Sequence, residues 1–171
     1  LCVLDIAPTL DMYNRTDMDF AQAYYHWFFL AQPHPFPETM IAHDPDAYFE
    51  SCLLGWGGAT LDQFDPRALA AYRGAWRQPD AIRGMCADYR AALRYDFDDD
   101  TKDLARRVTC PAMVMFGADG AMARAFDVPA TWQDRLSDMQ AQPVPGGHFF
   151  VDQFPDITAA ALLTFLQSQK A

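Results

Sequence analysis

The hydrophobic positions along the chain show two textures. The chain opens on an unbroken apolar run, Leu1-Cys2-Val3-Leu4, which predicts a strand over residues 1–6 ending at Asp5 before an Ala7-Pro8-Thr9 turn. A run without alternation is what a parallel strand covered on both faces requires. A second run, Ala112-Met113-Val114-Met115-Phe116, has the same character and stops at Gly117-Ala118-Asp119-Gly120. A weaker strand is predicted over residues 139–143, followed by Gly146-Gly147-His148-Phe149-Phe150.

Between the first two runs the periodicity is helical. Residues 17–32 read as a helix rich in aromatics (Phe20, Tyr24, Tyr25, Trp27, Phe28, Phe29), after which Pro33, Pro35 and Pro37 break the chain. A short helix over residues 46–54 is stopped by Gly55 and the Gly57-Gly58 pair. Asp65-Pro66 supplies an N-cap and a first-turn proline for a helix over residues 67–76. Pro79 starts another, to about residue 93, with Ala, Met and Ile facing inward; residues 98–107 predict one more, acidic first and basic last, as the helix dipole favours. Beyond the second strand, helices are predicted over residues 129–136 and 155–169, the latter with Ile157, Ala161, Leu162, Phe165 and Leu166 on one side.

Strands alternating with helices imply an α/β class with a mostly parallel sheet. The helical block is too long for a crossover and reads as an inserted lid. The expected blocks are a core strand and turn at 1–12, a helical cap at 13–107, and strands and helices at 108–171. A chain that begins inside an apolar strand, without an initiator Met, is expected to be a piece of a longer protein. Alone, it would present that strand as an unpaired apolar edge, so instability and inactivity are expected.

Composition narrows the function. A hydrophobic content of 51% with 13 Phe, 7 Tyr and 4 Trp excludes a disordered chain. A net charge of −10 argues against nucleic acid and against an anionic membrane surface, and means that an anionic substrate needs local positive groups. Cys2, Cys52, Cys86 and Cys110 form no CxxC spacing and no cluster with histidine, so they read as small buried hydrophobes in a reducing compartment. No apolar run is long enough for a membrane span, and a cytoplasmic protein is expected. Asp96, Asp98, Asp99 and Asp100 lack calcium-loop spacing and read as a solvated acidic turn; no metal or cofactor is expected. His34 and His43 lie in proline-rich or acidic loops and are expected in solvent.

His148 is the leading chemical candidate. Two preceding glycines let the backbone turn and set an imidazole at a sheet edge, and histidine is the usual general base; a structural loop histidine is the alternative. Asp5 and Asp119 both end a predicted strand, where open α/β sheets carry functional groups. Either could orient His148, or merely cap a turn. His26 and Trp27, adjacent on the aromatic helix, could turn two ring N–H donors on an anion, although aromatics at helical spacing also make core. Tyr89 could add a hydroxyl. Trp56, between glycines, could serve the same pocket or pack in the lid.

Taken in order, Val3-Leu4-Asp5-Ile6-Ala7-Pro8-Thr9, Tyr25-His26-Trp27-Phe28, Cys86-Ala87-Asp88-Tyr89-Arg90 and Pro145-Gly146-Gly147-His148-Phe149-Phe150 resemble the haloacetate (fluoroacetate) dehalogenases of the α/β-hydrolase superfamily. The likeness runs through essentially the whole chain. Gly-Gly-His alone is common to many hydrolases of this fold; its combination with the His-Trp pair and the later Tyr is specific. The resemblance implies that an aspartate displaces halide from the α-carbon of a small haloacid, and that water activated by a His–Asp pair hydrolyses the resulting ester. It makes His148 the base, Asp5 its partner, and His26, Trp27 and Tyr89 the halide pocket, with Trp56 at the entry. It also implies a nucleophile and carboxylate-binding arginines upstream of Leu1, and a possible homodimer. Asp119 keeps a second acid in play, as in related epoxide hydrolases and esterases. A non-catalytic helical binding module is the rival of another class.

Overall fold

The computed structural model describes residues 1–169; residues 170 and 171, at the end of the expected C-terminal block, lie outside the described residues. Strands β1 (Cys2–Leu4), β2 (Ala112–Gly117) and β3 (Met139–Val144) form one parallel sheet in that order. Val114, at its centre, lies between Val3 and Ala141. The unbroken apolar run of β2 has a structural reason: alternate side chains serve opposite faces, and both faces are covered. Ala112 and Val114 pack with Ala7, Met12, Phe20 and Tyr24. Met113 and Met115 pack with Val144, Phe150 and Phe165. β1 pairs with β2 along one edge, and among the described residues no strand pairs with its other edge.

Between β1 and β2 the chain is helical: α1 (Thr9–Asn14), α2 (Met18–Ala23), α3 (Tyr25–Leu30), α4 (Phe36–His43), α5 (Pro45–Leu54), α6 (Pro66–Trp76), α7 (Pro79–Ala91) and α8 (Phe97–Lys102). A 3-10 turn (Leu61–Gln63) precedes α6, and a π-helical stretch (Ala92–Asp96) joins α7 to α8. After β2 come α9 (Ala121–Ala125) and α10 (Val128–Trp132); after β3 come α11 (Phe150–Gln153) and α12 (Pro155–Ser168). Among the described residues no helix is long and apolar enough to cross a membrane. All four cysteines are free, Cys52 and Cys86 buried and Cys110 exposed.

Several boundaries differ from the sequence reading. The helix expected over residues 17–32 breaks at Tyr24, whose φ of −112° and ψ of 35° leave the helical region. Asp17 caps the first half by accepting from the Phe20 N–H at 2.8 Å. The proline-rich stretch gives way to α4, because Pro37 sits in its first turn, where a missing N–H costs nothing. α8 ends at Lys102 rather than at residue 107. The helix expected over residues 129–136 is the shorter α10, capped by Asp127 and ending at Trp132, and α9 before it was not expected. On α12, Ile157 and Leu166 are exposed rather than packed; the inward row is Thr158, Ala161, Leu162 and Phe165. Thr158 tolerates burial because its hydroxyl donates to the Phe154 carbonyl at 2.9 Å.

Ion pairs fix the helical block. Arg73 on α6 donates to Glu50 on α5 at 2.5 Å, and Arg77 to Asp46, which also accepts from the Trp76 indole at 2.8 Å. Arg90 on α7 joins Glu38 on α4 at 2.5 Å and the Gln32 carbonyl at 3.0 Å. The Arg90–Glu38 pair is largely shielded from water and holds α7, with Tyr89, against α4.

The α12 register predicts a contrast between neighbours. In the complete protein Phe165→Ala should lower unfolding free energy by about 3–5 kcal/mol in urea titration. Leu166→Ala, 51% exposed, should change it by less than about 0.5 kcal/mol. Equal losses would refute the assigned helix face.

Candidate functional site

Asp5 ends β1 with a backbone φ of +48°, a left-handed conformation uncommon for a residue with a side chain. The turn carries its carboxylate across the end of β2. The Asp5 N–H still completes the ladder, donating to the Met115 carbonyl at 2.8 Å. One carboxylate oxygen accepts from the Gly117 N–H at 2.9 Å, and the other lies 2.6 Å from His148 Nδ1. A carboxylate only accepts, so the ring Nδ1 donates and Nε2 is left as an acceptor. The Asp5 side chain is buried, whereas that of His148 is 28% exposed.

The His148 loop is clamped by close backbone approach. A side chain on Gly117 would strike the Gly147 carbonyl, and one on Gly147 would strike the Gly57 carbonyl. Gly146 has a φ of +102°. The His148 N–H donates to Gly57 O at 3.2 Å, and Gln153 accepts from the Gly147 N–H at 2.8 Å while donating to Gly58 and Gln63. The glycines after α5 therefore do more than end a helix: they dock the helical block on the His148 loop.

Aromatic rings continue from His148 into that block. Trp56 meets the His148 ring at 4.8 Å between centroids, and His26 stacks on Trp56 at 4.3 Å with 14° between planes. Tyr89 stands edge-on to both His26 and Trp27, at 5.8 Å from each. Trp27 turns the other way, against Tyr13 and Phe20 and into the core on the sheet's face. His26, Trp56 and Tyr89 line a cavity of about 520 Å³; Trp27 and His148 do not. His26 Nδ1, Trp56 Nε1 and the Tyr48 hydroxyl, all on residues of this wall, are buried without a hydrogen-bond partner. Burial, reinforced by the nearby His148, pushes the His26 pKa down to about 3, so the imidazole is neutral near pH 7. Burial raises the Tyr48 and Tyr89 phenols and the Cys52 thiol, keeping them protonated. The site thus offers neutral donors.

The other candidates lie apart. Asp119 is exposed; its carboxylate accepts from the Gly146 N–H at 3.1 Å and its carbonyl from Arg124 at 2.6 Å, with no bond to His148. His34 and His43 are exposed, His34 within 3.2 Å of Glu38. The acidic stretch is not wholly solvated, for Asp100 accepts from the Leu10 N–H at 3.2 Å and from Arg135 at 3.3 Å. Those contacts border a second cavity, about 560 Å³, lined by both acids and arginines and containing none of the candidate groups. Tyr48 escaped the sequence reading and Cys52 was read only as a small buried hydrophobe, because the two lie one turn apart on α5, on a stripe that looks like ordinary helical core.

No protein-family model matches the chain. Over its full 171 residues it is 49% identical to a fluoroacetate dehalogenase from Burkholderia sp, of which it covers 56%. It superposes on the crystal structure of a candidate α/β hydrolase from Nostoc sp PCC 7120 with a TM-score of 0.93 and 44% identity, over 97% of this chain and 57% of that one. The described residues form part of an α/β-hydrolase fold. A candidate epoxide hydrolase from Pseudomonas aeruginosa superposes with a TM-score of 0.86 and 31% identity, over 99% of this chain and 57% of that one. The chain therefore spans little more than half the length of these α/β-hydrolase relatives, corresponding to their C-terminal half.

The buried His26 predicts a pH effect on this α/β-hydrolase fold. Its folded pKa of about 3 lies below the usual 6.5, so below 6.5 the unfolded chain takes up a proton that the folded one refuses. The stability it withholds therefore grows as pH falls, by up to about 1.4 kcal/mol per pH unit for one proton. Urea unfolding of the complete protein between pH 6.5 and 4 should show a slope steeper by about that amount than in His26→Phe. Identical slopes would contradict the assignment.

Proposed function

We propose that this chain is the water-activating and halide-accepting part of a hydrolase that removes halide from small 2-haloacids. The attacking aspartate, and the arginines that hold the substrate carboxylate, are supplied from the portion of the relatives' length that this chain does not span. The carboxylate displaces halide at the α-carbon, forming an ester and releasing the ion. His148 Nε2 then takes a proton from water as the water adds to the ester carbonyl; collapse frees the 2-hydroxyacid and restores the carboxylate. The sum is haloacid plus water giving hydroxyacid, halide and a proton. No cofactor enters the scheme.

The observation that carries this reading is the 2.6 Å contact between Asp5 and His148 Nδ1 beside the stacked His26 and Trp56. The Asp5 carboxylate fixes the tautomer whose Nε2 can accept a proton and stabilises the imidazolium that forms. A departing fluoride concentrates charge on one small atom, and fixed N–H and O–H donors in a water-poor wall gain strength as that charge grows. His26, Trp56 and Tyr89 provide such donors within the cavity wall; Trp27 supports Tyr89 from its far side. A neutral His26 also releases the halide product more readily than a cation would. The 49% identity to the Burkholderia fluoroacetate dehalogenase supports the same assignment.

A second reading has one observation in its favour: the protonated Tyr48 and Tyr89 phenols on one wall are the donors an epoxide oxygen needs. Halide release from fluoroacetate, assayed beside epoxide opening, separates the two.

In the complete enzyme Asp5→Asn should release about one equivalent of halide and then stall, turnover falling on the order of 10²–10⁴-fold. Intact-protein mass spectrometry should find the carboxylate alkylated, as the ester adduct. Asp119→Asn should turn over normally. If Asp119→Asn trapped the adduct and Asp5→Asn did not, the assigned pair would be wrong.

A further inference from the structure

One buried hydroxyl outside the cavity has no place in the reaction so far. Tyr13 sits on α1, the first helix after the Asp5 turn, and does not belong to the cavity wall that holds His26, Trp56 and Tyr89. Its phenol oxygen is buried with no hydrogen-bond partner among the described residues. Burial pushes the phenol up to about 12, so it keeps its proton near pH 7. A buried donor without a partner loses its hydration and gains nothing in return. Phenylalanine would fill the same space without that loss, so the fold alone gives no reason for the hydroxyl.

Its surroundings tie it to the donor wall in two ways. Tyr13 and Tyr89 both meet the Trp27 ring edge-on, at 5.3 Å with 65° between planes and at 5.8 Å with 83°. Phe28 and Phe97 close on the Tyr13 ring at 6.2 and 6.3 Å, so the ring is fixed while the hydroxyl hydrogen turns about its C–O bond. The second tie is electrostatic. Burial chiefly, then Cys52, Asp88 and Tyr13, keeps the Tyr89 phenol protonated, so the two phenols lie within each other's field. We infer that Tyr13 is a positioning residue for the halide donors: its ring braces Trp27 beside Tyr89, and its unpartnered O–H turns its positive end toward the charge gathering on the departing halide, acting through the Tyr89 phenol. The inference rests on the dehalogenase reading and adds a residue to it. A hydroxyl already spent on a carbonyl could not turn in this way, and in a water-poor setting neighbouring O–H dipoles strengthen one another. Fluoride, with its charge on one small atom, should depend on this support more than chloride does.

The test is a double-mutant cycle in the complete enzyme, built from Tyr13→Phe, Tyr89→Phe and the pair. Binding of sodium fluoride and sodium chloride is read by tryptophan fluorescence at constant ionic strength, and kcat/KM is measured for fluoroacetate and chloroacetate. Tyr13→Phe keeps the ring, so its urea midpoint should be no lower than that of wild type. It should weaken fluoride binding about fivefold and chloride binding less than about twofold, with kcat/KM for the two acids following the same order. In the Tyr89→Phe background the same change should cost less than about 1.5-fold, because the hydroxyl acts through Tyr89. An unchanged fluoride affinity in Tyr13→Phe overturns the inference. So does an equal loss for both ions, an equal loss with and without the Tyr89 hydroxyl, or a lowered urea midpoint, which would make the hydroxyl part of the fold. If wild type releases no fluoride from fluoroacetate, the dehalogenase reading falls and the ion titrations alone decide Tyr13. Wild type that binds neither ion overturns the inference as well.

Discussion

A carboxylate at the end of one parallel strand meets an imidazole from the loop after another, and the rest of the described fold holds that meeting in place. Asp5 reaches it by adopting a left-handed backbone, which costs on the order of 1–3 kcal/mol. Its two oxygens each take a hydrogen bond, one from Gly117 N–H and one from His148 Nδ1, and bonds to a charged acceptor are worth roughly 1.5–3 kcal/mol each. The gain covers the strain, but only while both partners stay where the sheet puts them. β1 and β2 in parallel register set the first partner, and the glycine contacts among Gly117, Gly147 and Gly57 set the second.

The same contacts join the chemistry to the helical block. Gly57 accepts the His148 N–H, and the next residue back, Trp56, lays its indole between the His148 and His26 rings. A single short segment after α5 thus fixes the distance from the His148 ring to the neutral donors. Arg73, Arg77 and Arg90, paired with acids on neighbouring helices, keep that segment's surroundings from shifting. For an acidic chain this is an economical use of few cations: they brace the walls, and none enters the cavity.

Much of this was legible in the sequence, for identifiable reasons. Unbroken apolar runs marked β1 and β2 because a strand covered on both faces has no polar side to show. Gly-Gly before His148 marked a sharp turn because only glycine admits the approach that the loop makes. The choice between Asp5 and Asp119 was not legible from position, since both end strands; it depends on the left-handed turn at Asp5 and on Gly146 occupying the Asp119 carboxylate. The break at Tyr24 was hidden too, because the helical spacing of the aromatics runs through it unbroken. Ile157 and Leu166 misled because one apolar stripe on α12 is wider than the face the sheet covers. Of the cavity wall, His26, Trp56 and Tyr89 were singled out in the sequence, whereas Tyr48 and Cys52 looked like ordinary helical core.

The central claim is that His148 donates through Nδ1 to Asp5 and keeps Nε2 free, and proton NMR of the complete protein tests it most directly. A single low-field ring N–H resonance, coupled to His148 Nδ1, should be present near neutral pH, lost in Asp5→Asn and unchanged in Asp119→Asn. A resonance that survives Asp5→Asn, or one that resides on Nε2, would contradict the account.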